Sequence, residues 1–200
     1  MTQIRLTLPD NSVREVPAGT TSRDVAQMIG PGLAKAAIAA RVDGAVWDLD
    51  RPIERDAGFA ILTDRDPDAL EVLRHSTAHI LATAVRELFP GAGIGFGPPI
   101  EDGFYYDFDV PRPFTPEDLE AIEQKMAEVV ERDYPFRREV VDRGEANRRF
   151  ADDPLKLERI GELGDDEVIS VYTDGPFQDL CRGPHIPSTG RLKHFKLMKV

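Results

Sequence analysis

The chain has 200 residues, with 25 Lys and Arg against 36 Asp and Glu, and a formal net charge of −11 at pH 7. Hydrophobic residues make up 41% and charged residues 30%, a balance too apolar for wholesale disorder and a length suited to one or two domains. No apolar run reaches the roughly 18 residues of a membrane helix, the early residues lack the apolar block of a secretory signal, and the single cysteine, Cys181, excludes an intramolecular disulfide.

Together these features predict a soluble, cytoplasmic protein. The acidic total argues against non-specific binding of a polyanion, because phosphate contacts dominate such affinity. Arg182, Arg191, Lys193, Lys196 and Lys199 nevertheless form a carboxylate-free basic strip at the end of the sequence.

Residues 1–63 read as a small α+β unit. Ile4, Leu6 and Leu8 alternate with polar residues, the period of a half-buried strand. Asp10-Asn11 offers turn chemistry before a return strand over Val13 to Val16. Ser22 is the expected N-cap of a short helix that stops at Gly30. Ile38 to Val42, an Asp43-Gly44 turn and Ala45 to Leu49 predict a hairpin, and Phe59 to Leu62 a closing strand. This order is that of a ubiquitin-like β-grasp.

A charged break at Asp64 to Asp68 opens a second α+β unit over residues 66–200. A helix is expected from about Ala69 to Phe89, with Leu70, Leu73, Thr77, Leu81, Ala84 and Leu88 on one side. His75 and His79 fall on the other side beside Val72, Ala82 and Thr83, so both sides suit being covered. Gly93 to Asp109 reads as two strands turning at Glu101-Asp102-Gly103. Thr115-Pro116-Glu117-Asp118 resembles a capping box opening a second helix. A strand over Phe136 to Val141, two short helical pieces and strands over Val168 to Tyr172 and Leu192 to Val200 complete the expectation.

Three of the four histidines and the only cysteine fall in two compact pairs, His75/His79 and Cys181/His185. The first pair is one helical turn apart, and the second straddles a Gly183-Pro184 turn. Two His, a Cys and a further His make a complete tetrahedral zinc set, so His75, His79, Cys181 and His185 fit three sites. These are a closed structural zinc, a hydrolytic zinc, and a metal-free pocket of acid–base and hydrogen-bonding groups. Asp179 precedes Cys181 by two residues, so both side chains point the same way if the stretch is extended. Lys156 stands among Asp152, Asp153 and Glu158, where a solvated salt bridge is the default. No Gly-rich phosphate loop and no serine elbow occurs.

Residues 1–63 resemble the TGS domain of threonyl-tRNA synthetases. His75 to His79, Gly97-Pro98-Pro99-Ile100 with Asp102 to Asp107, and Asp179 to His185 resemble the editing domain of the same enzymes. His194 to Lys199 resembles the junction to their class II catalytic core, absent here. The fold expected is therefore α+β: a β-grasp followed by an editing domain whose long His-bearing helix packs on an antiparallel sheet.

In that family the editing domain hydrolyses serine mis-attached to threonine-specific tRNA. The resemblance implies that His75 and Lys156 activate or position the attacking water. It implies that His79, Tyr106, Asp179, Cys181 and His185 bind substrate, Asp179 meeting its ammonium. It also implies a pocket working without metal, tRNA as partner through its acceptor end, no membrane, and a homodimeric full-length enzyme. ATP, Mg and a catalytic zinc would belong to the absent core. Two other readings compete: a zinc-stabilised module without catalysis, and an RNA- or nucleotide-sensing β-grasp.

Overall fold

The computed structural model describes residues 2–199 and divides into two compact units. One comprises Met1–Leu73 with Pro184–Pro187, the other Arg74–Gly183 with Ser188–Val200.

In the first unit, β1 (Gln3–Thr7) pairs antiparallel with β2 (Val13–Pro17), Ile4 opposite Val16. The alternation turns Ile4 and Leu6 inward, at 3% and 0% exposure, while Gln3, Arg5 and Thr7 face out. After a two-residue strand β3 (Thr20–Thr21) comes helix α1 (Ser22–Ile29). Its N-cap is Thr21 rather than Ser22: Thr21 and Asp24 form a reciprocal capping box, and Ser22 is buried as the first helical residue. Gly30 ends the helix as expected, but Pro31 at once starts a second one, α2 (Pro31–Ala36).

The remaining strands are β4 (Ala37–Val42), β5 (Ala45–Trp47), β6 (Pro52–Ile53) and β7 (Ala57–Thr63). The main sheet runs β2-β1-β7-β4-β5, with β1 and β7 parallel at its centre, the arrangement of a β-grasp. Leu6, Val25, Ala26, Ala40, Leu49 and Phe59 lie in one apolar core beneath it.

The unit boundary falls within α3 (Pro67–Leu88). Every residue of α3 from Ser76 to Val85 is buried, as the two covered sides required. The expected pair of strands over residues 93–109 forms in pieces. β8 (Gly93–Ile94) pairs with β11 (Phe108–Asp109), and β9 (Pro99–Ile100) with β10 (Gly103–Phe104). Pro98 and Pro99 have no N–H to donate, so the ladder breaks between the pieces. Helix α4 (Pro116–Glu131) begins with the Thr115–Asp118 capping box and buries Ile122, Met126 and Val129.

Next come β12 (Phe136–Val141), α5 (Arg143–Arg149), α6 (Pro154–Glu162), β13 (Ile169–Asp174) and β14 (Phe177–Leu180). The three strands form one antiparallel sheet, β12-β13-β14. Its two faces differ. Ile169 and Val171 join Ala146, Phe150 and Ile160 in an apolar cluster, with Leu180 packed against it. Tyr172, Asp174, Phe177 and Asp179 occupy the opposite face, since paired residues share a face and successive ones alternate. The expected strand from Leu192 does not form through Lys199; Val200 lies outside the described residues. A single 3-10 turn, Thr189–Arg191, precedes that segment, and the Leu197 N–H donates to the Glu123 side chain on α4 instead of to a sheet edge.

Candidate active site

The polar sheet face meets the buried middle of α3. The His79 ring packs edge-on against Phe136 and Phe177, with centroids at 6.2 and 6.0 Å, and against His75 at 5.3 Å. The helical spacing predicted from His75-Ser76-Thr77-Ala78-His79 thus delivers both imidazoles to one place. His79 is 2% exposed, and burial holds its imidazole well below the ordinary histidine range, with the charges of His75 and Lys156 adding to the effect. It is therefore a neutral ring at pH 7.

Beside it lies an ion pair. Asp179, 3% exposed, holds the Lys156 ammonium 2.6 Å from Oδ1 and accepts the Tyr106 hydroxyl on Oδ2 at 2.5 Å. His79 Nε2 stands 3.7 Å from that Oδ2. Burial raises the Asp179 carboxyl above the usual carboxylate range, and Lys156 and Tyr106 pull against it. The Tyr106 phenol is pushed far up, by burial first and then by Asp179, so it stays a donor.

The expectation of a solvated salt bridge for Lys156 is corrected here. Its side chain is buried, because α6 begins at the Asp153 cap and carries the stem inward. The ammonium donates to the Gly95 carbonyl at 2.6 Å and lies 4.3 Å from the Phe96 ring centroid.

The more open part of the site belongs to His75 and Cys181, both half-buried. His75 Nε2 is 3.2 Å from Cys181 Sγ, and the Gly183 N–H donates to the same sulfur at 3.2 Å. The ligand atoms of His75, His79 and Cys181 lie within 4.8 Å of one another. His185 is 1% exposed and belongs to the Pro184–Pro187 segment counted with the first unit, where its backbone N–H donates to the Asp48 carboxylate at 2.9 Å.

Sequence reasoning missed Gly95, Phe96 and Asp174 at the site, and set Thr83 beside the histidines without a role. It quoted Gly97 without giving it a task. A Cβ at Gly97 would fall 2.2 Å from the Tyr106 ring, so only glycine lets that ring pass and its hydroxyl reach Asp179. The usable signal was the glycine alternation at 93, 95 and 97, which marks close backbone approach.

Two known families match parts of the chain. Residues 4–63 match the TGS domain, and residues 169–200, which begin at β13, match the threonyl and alanyl tRNA synthetase second additional domain. Across 98% of the chain, identity is 53% to a threonine–tRNA ligase of Symbiobacterium thermophilum and 56% to one of Maricaulis maris. The chain aligns with the N-terminal part of those ligases. It spans 31% of the length of those relatives, and of the 55% identical ligase of Cupriavidus pinatubonensis. The second-additional-domain match holds Asp179, Cys181 and His185, while His75 and His79 lie outside the matched span on α3. No helix among the described residues is long and apolar enough to cross a membrane.

Proposed function

We propose that the second unit hydrolyses the ester of serine mis-attached to threonine-specific tRNA, reached through the acceptor end, in the cytoplasm. The observation that supports this most is the buried Tyr106–Asp179–Lys156 network set beside a half-open His75–Cys181 pair. The need for such a site is physical. Serine lacks one methyl of threonine, a difference worth about 1–3 kcal/mol in a pocket, so one binding site cannot reject it.

In the proposed reaction His75 takes a proton from water as its oxygen attacks the ester carbonyl. The tetrahedral intermediate then collapses, the carbonyl–ribose bond breaks, and the ribose oxygen leaves with the proton from His75. Serine and tRNA are the products. Lys156 acts through Asp179: it fixes that carboxylate and keeps a positive charge near the developing oxyanion. Asp179 already shares Oδ2 with Tyr106, so in this reading it anchors the network as well as facing the substrate ammonium. His79, neutral, and Cys181 shape the wall against which the seryl group lies.

The decisive measurement is a deacylation time course on seryl- and threonyl-tRNA with this chain. Faster hydrolysis of the seryl ester is expected, and equal rates would remove the selectivity on which the reading stands. Cys181→Ala is expected to keep most of the single-turnover rate and to narrow the seryl preference, since a positioned water suffices for an activated ester. A dead but folded Cys181→Ala, with an acyl-enzyme trapped on the wild type, overturns water attack.

The closeness of the His75, His79 and Cys181 donors favours a second reading, a zinc-stabilised module without catalysis. Stoichiometric zinc after purification without added metal would support it. In the full-length enzyme, threonine ligation with ATP and homodimer formation would reside in the part beyond this chain.

A further inference from the structure

Behind His79 on α3, the Thr83 hydroxyl touches two acceptors. It lies 3.0 Å from the His79 carbonyl, one turn back, and 2.8 Å from Asp174 Oδ2 on β13. A hydroxyl has one proton to donate, the His79 carbonyl can only accept, and an ionised carboxylate can only accept. Two acceptors around one proton leave one contact unmade, in a place where Thr83 is 1% and Asp174 0% exposed. A proton on Asp174 resolves the count: the acid donates to Thr83, and Thr83 donates to His79.

We infer that Asp174 is a neutral carboxylic acid in the folded protein, and that the chain Asp174→Thr83→His79 carbonyl is a positioning device for the His79-bearing turn of α3. The surroundings agree. The groups facing Asp174 are Thr83 from α3 and Asp179 from β14, with Phe136 on β12 and Phe177 on β14 as its apolar neighbours in the sheet. Arg86, on the next stretch of α3, is engaged over the Phe177 ring at 6.0 Å. No ion pair reaches Asp174 among the described residues, and Oδ1 has no hydrogen-bond partner there. Burial, with Asp179 adding to it, pushes the Asp174 carboxyl well above the usual range. The donated hydrogen bonds polarise one another in a dry setting, which strengthens the tether.

The link to catalysis rests on the editing reading, whereas the tether itself is tested without any substrate. Unfolding of the wild type and of Asp174→Asn is compared at several pH values between 5 and 8. The unfolded acid ionises near pH 3.9, so the folded state binds a proton that the unfolded state has released. Wild-type stability from this group is therefore lost as pH rises. Asn donates to Thr83 without titrating, so the ratio of wild-type to Asp174→Asn unfolding constants should climb by up to about tenfold per pH unit. A pH-independent ratio, or one that falls, overturns the inference.

Carboxyl carbon NMR of the wild type gives a readout that needs no variant to fold. One aspartate carbon should stay unshifted across pH 5–8 at the position of a protonated acid, and its absence overturns the inference. Thr83→Val should shift the His79 ring resonances and Thr83→Ser should restore them. Unmoved resonances in Thr83→Val would remove the positioning role, whatever the fate of the deacylation assay.

Discussion

Lys156→Met is expected to lower single-turnover deacylation by about 10²–10³-fold, the usual cost of one lost stabilising charge at a developing oxyanion. It is also expected to destabilise the second unit. The Lys156 and Asp179 side chains are 2% and 4% exposed, and removing the ammonium leaves a buried carboxylate with only neutral donors, the Tyr106 hydroxyl and the Leu180 backbone N–H. Breaking such a pair on one side costs about 3–5 kcal/mol. The two effects are separated by adding Asp179→Asn. The double variant removes the stranded charge and should recover most of the stability, while its rate stays low because the fixed cation is gone. Chemical denaturation and saturating-protein deacylation of the wild type, both single variants and the double variant make a complete cycle. Recovery of rate together with stability would reduce Lys156 to a structural part.

Gly183→Ala should have the next largest effect, on both folding and the thiol. Gly183 has φ +70°, a conformation that costs an L-residue roughly 1–2 kcal/mol, and its Cβ would sit 2.0 Å from the Tyr172 hydroxyl. Tyr172 is 0% exposed on the central strand, so it has little room to retreat, and crowding of this kind costs about 1–3 kcal/mol more. The displaced backbone would also withdraw the Gly183 N–H from Cys181 Sγ. Adding Tyr172→Phe removes the nearest clashing atom but not the backbone strain. The pair should therefore melt between Gly183→Ala and the wild type. No recovery in the pair would show that the hydroxyl contact is not the source of the cost.

Much of this was legible in the residues because each local pattern agreed with the packing it met. Ile4 and Leu6 alternate and face the core; Thr115 and Asp118 reciprocate; His75 and His79 are four apart on a helix covered on both sides. What escaped notice depends on partners far away in the chain. Lys156 looks solvated among its acidic neighbours until the fold brings Gly95, 61 residues earlier, to its ammonium. Asp174 ends β13 at its hairpin, and its side chain is spent on Thr83, 91 positions earlier. The segment after Leu192 has the composition of a strand, but Glu123 on α4 takes the Leu197 N–H instead of a sheet edge. The short helix after Gly30 went unread because one glycine both ended a helix and preceded the proline that begins the next.

The two-faced hairpin of β13 and β14 ties the chemistry to a count of residues. Val171 and Leu180 look into the apolar cluster while Tyr172, Asp174, Phe177 and Asp179 look toward α3. Adding or deleting one residue in the Asp174 to Phe177 turn would exchange the faces of one strand, pointing a carboxylate into hydrocarbon and an aliphatic chain at the imidazoles. The turn is held to its length by Gly175, at φ +64°, where a Cβ would collide with the Tyr134 ring at 2.6 Å. Parity, as much as residue identity, is thus inherited by any chain that keeps this site, and it fixes the length of the four-residue turn.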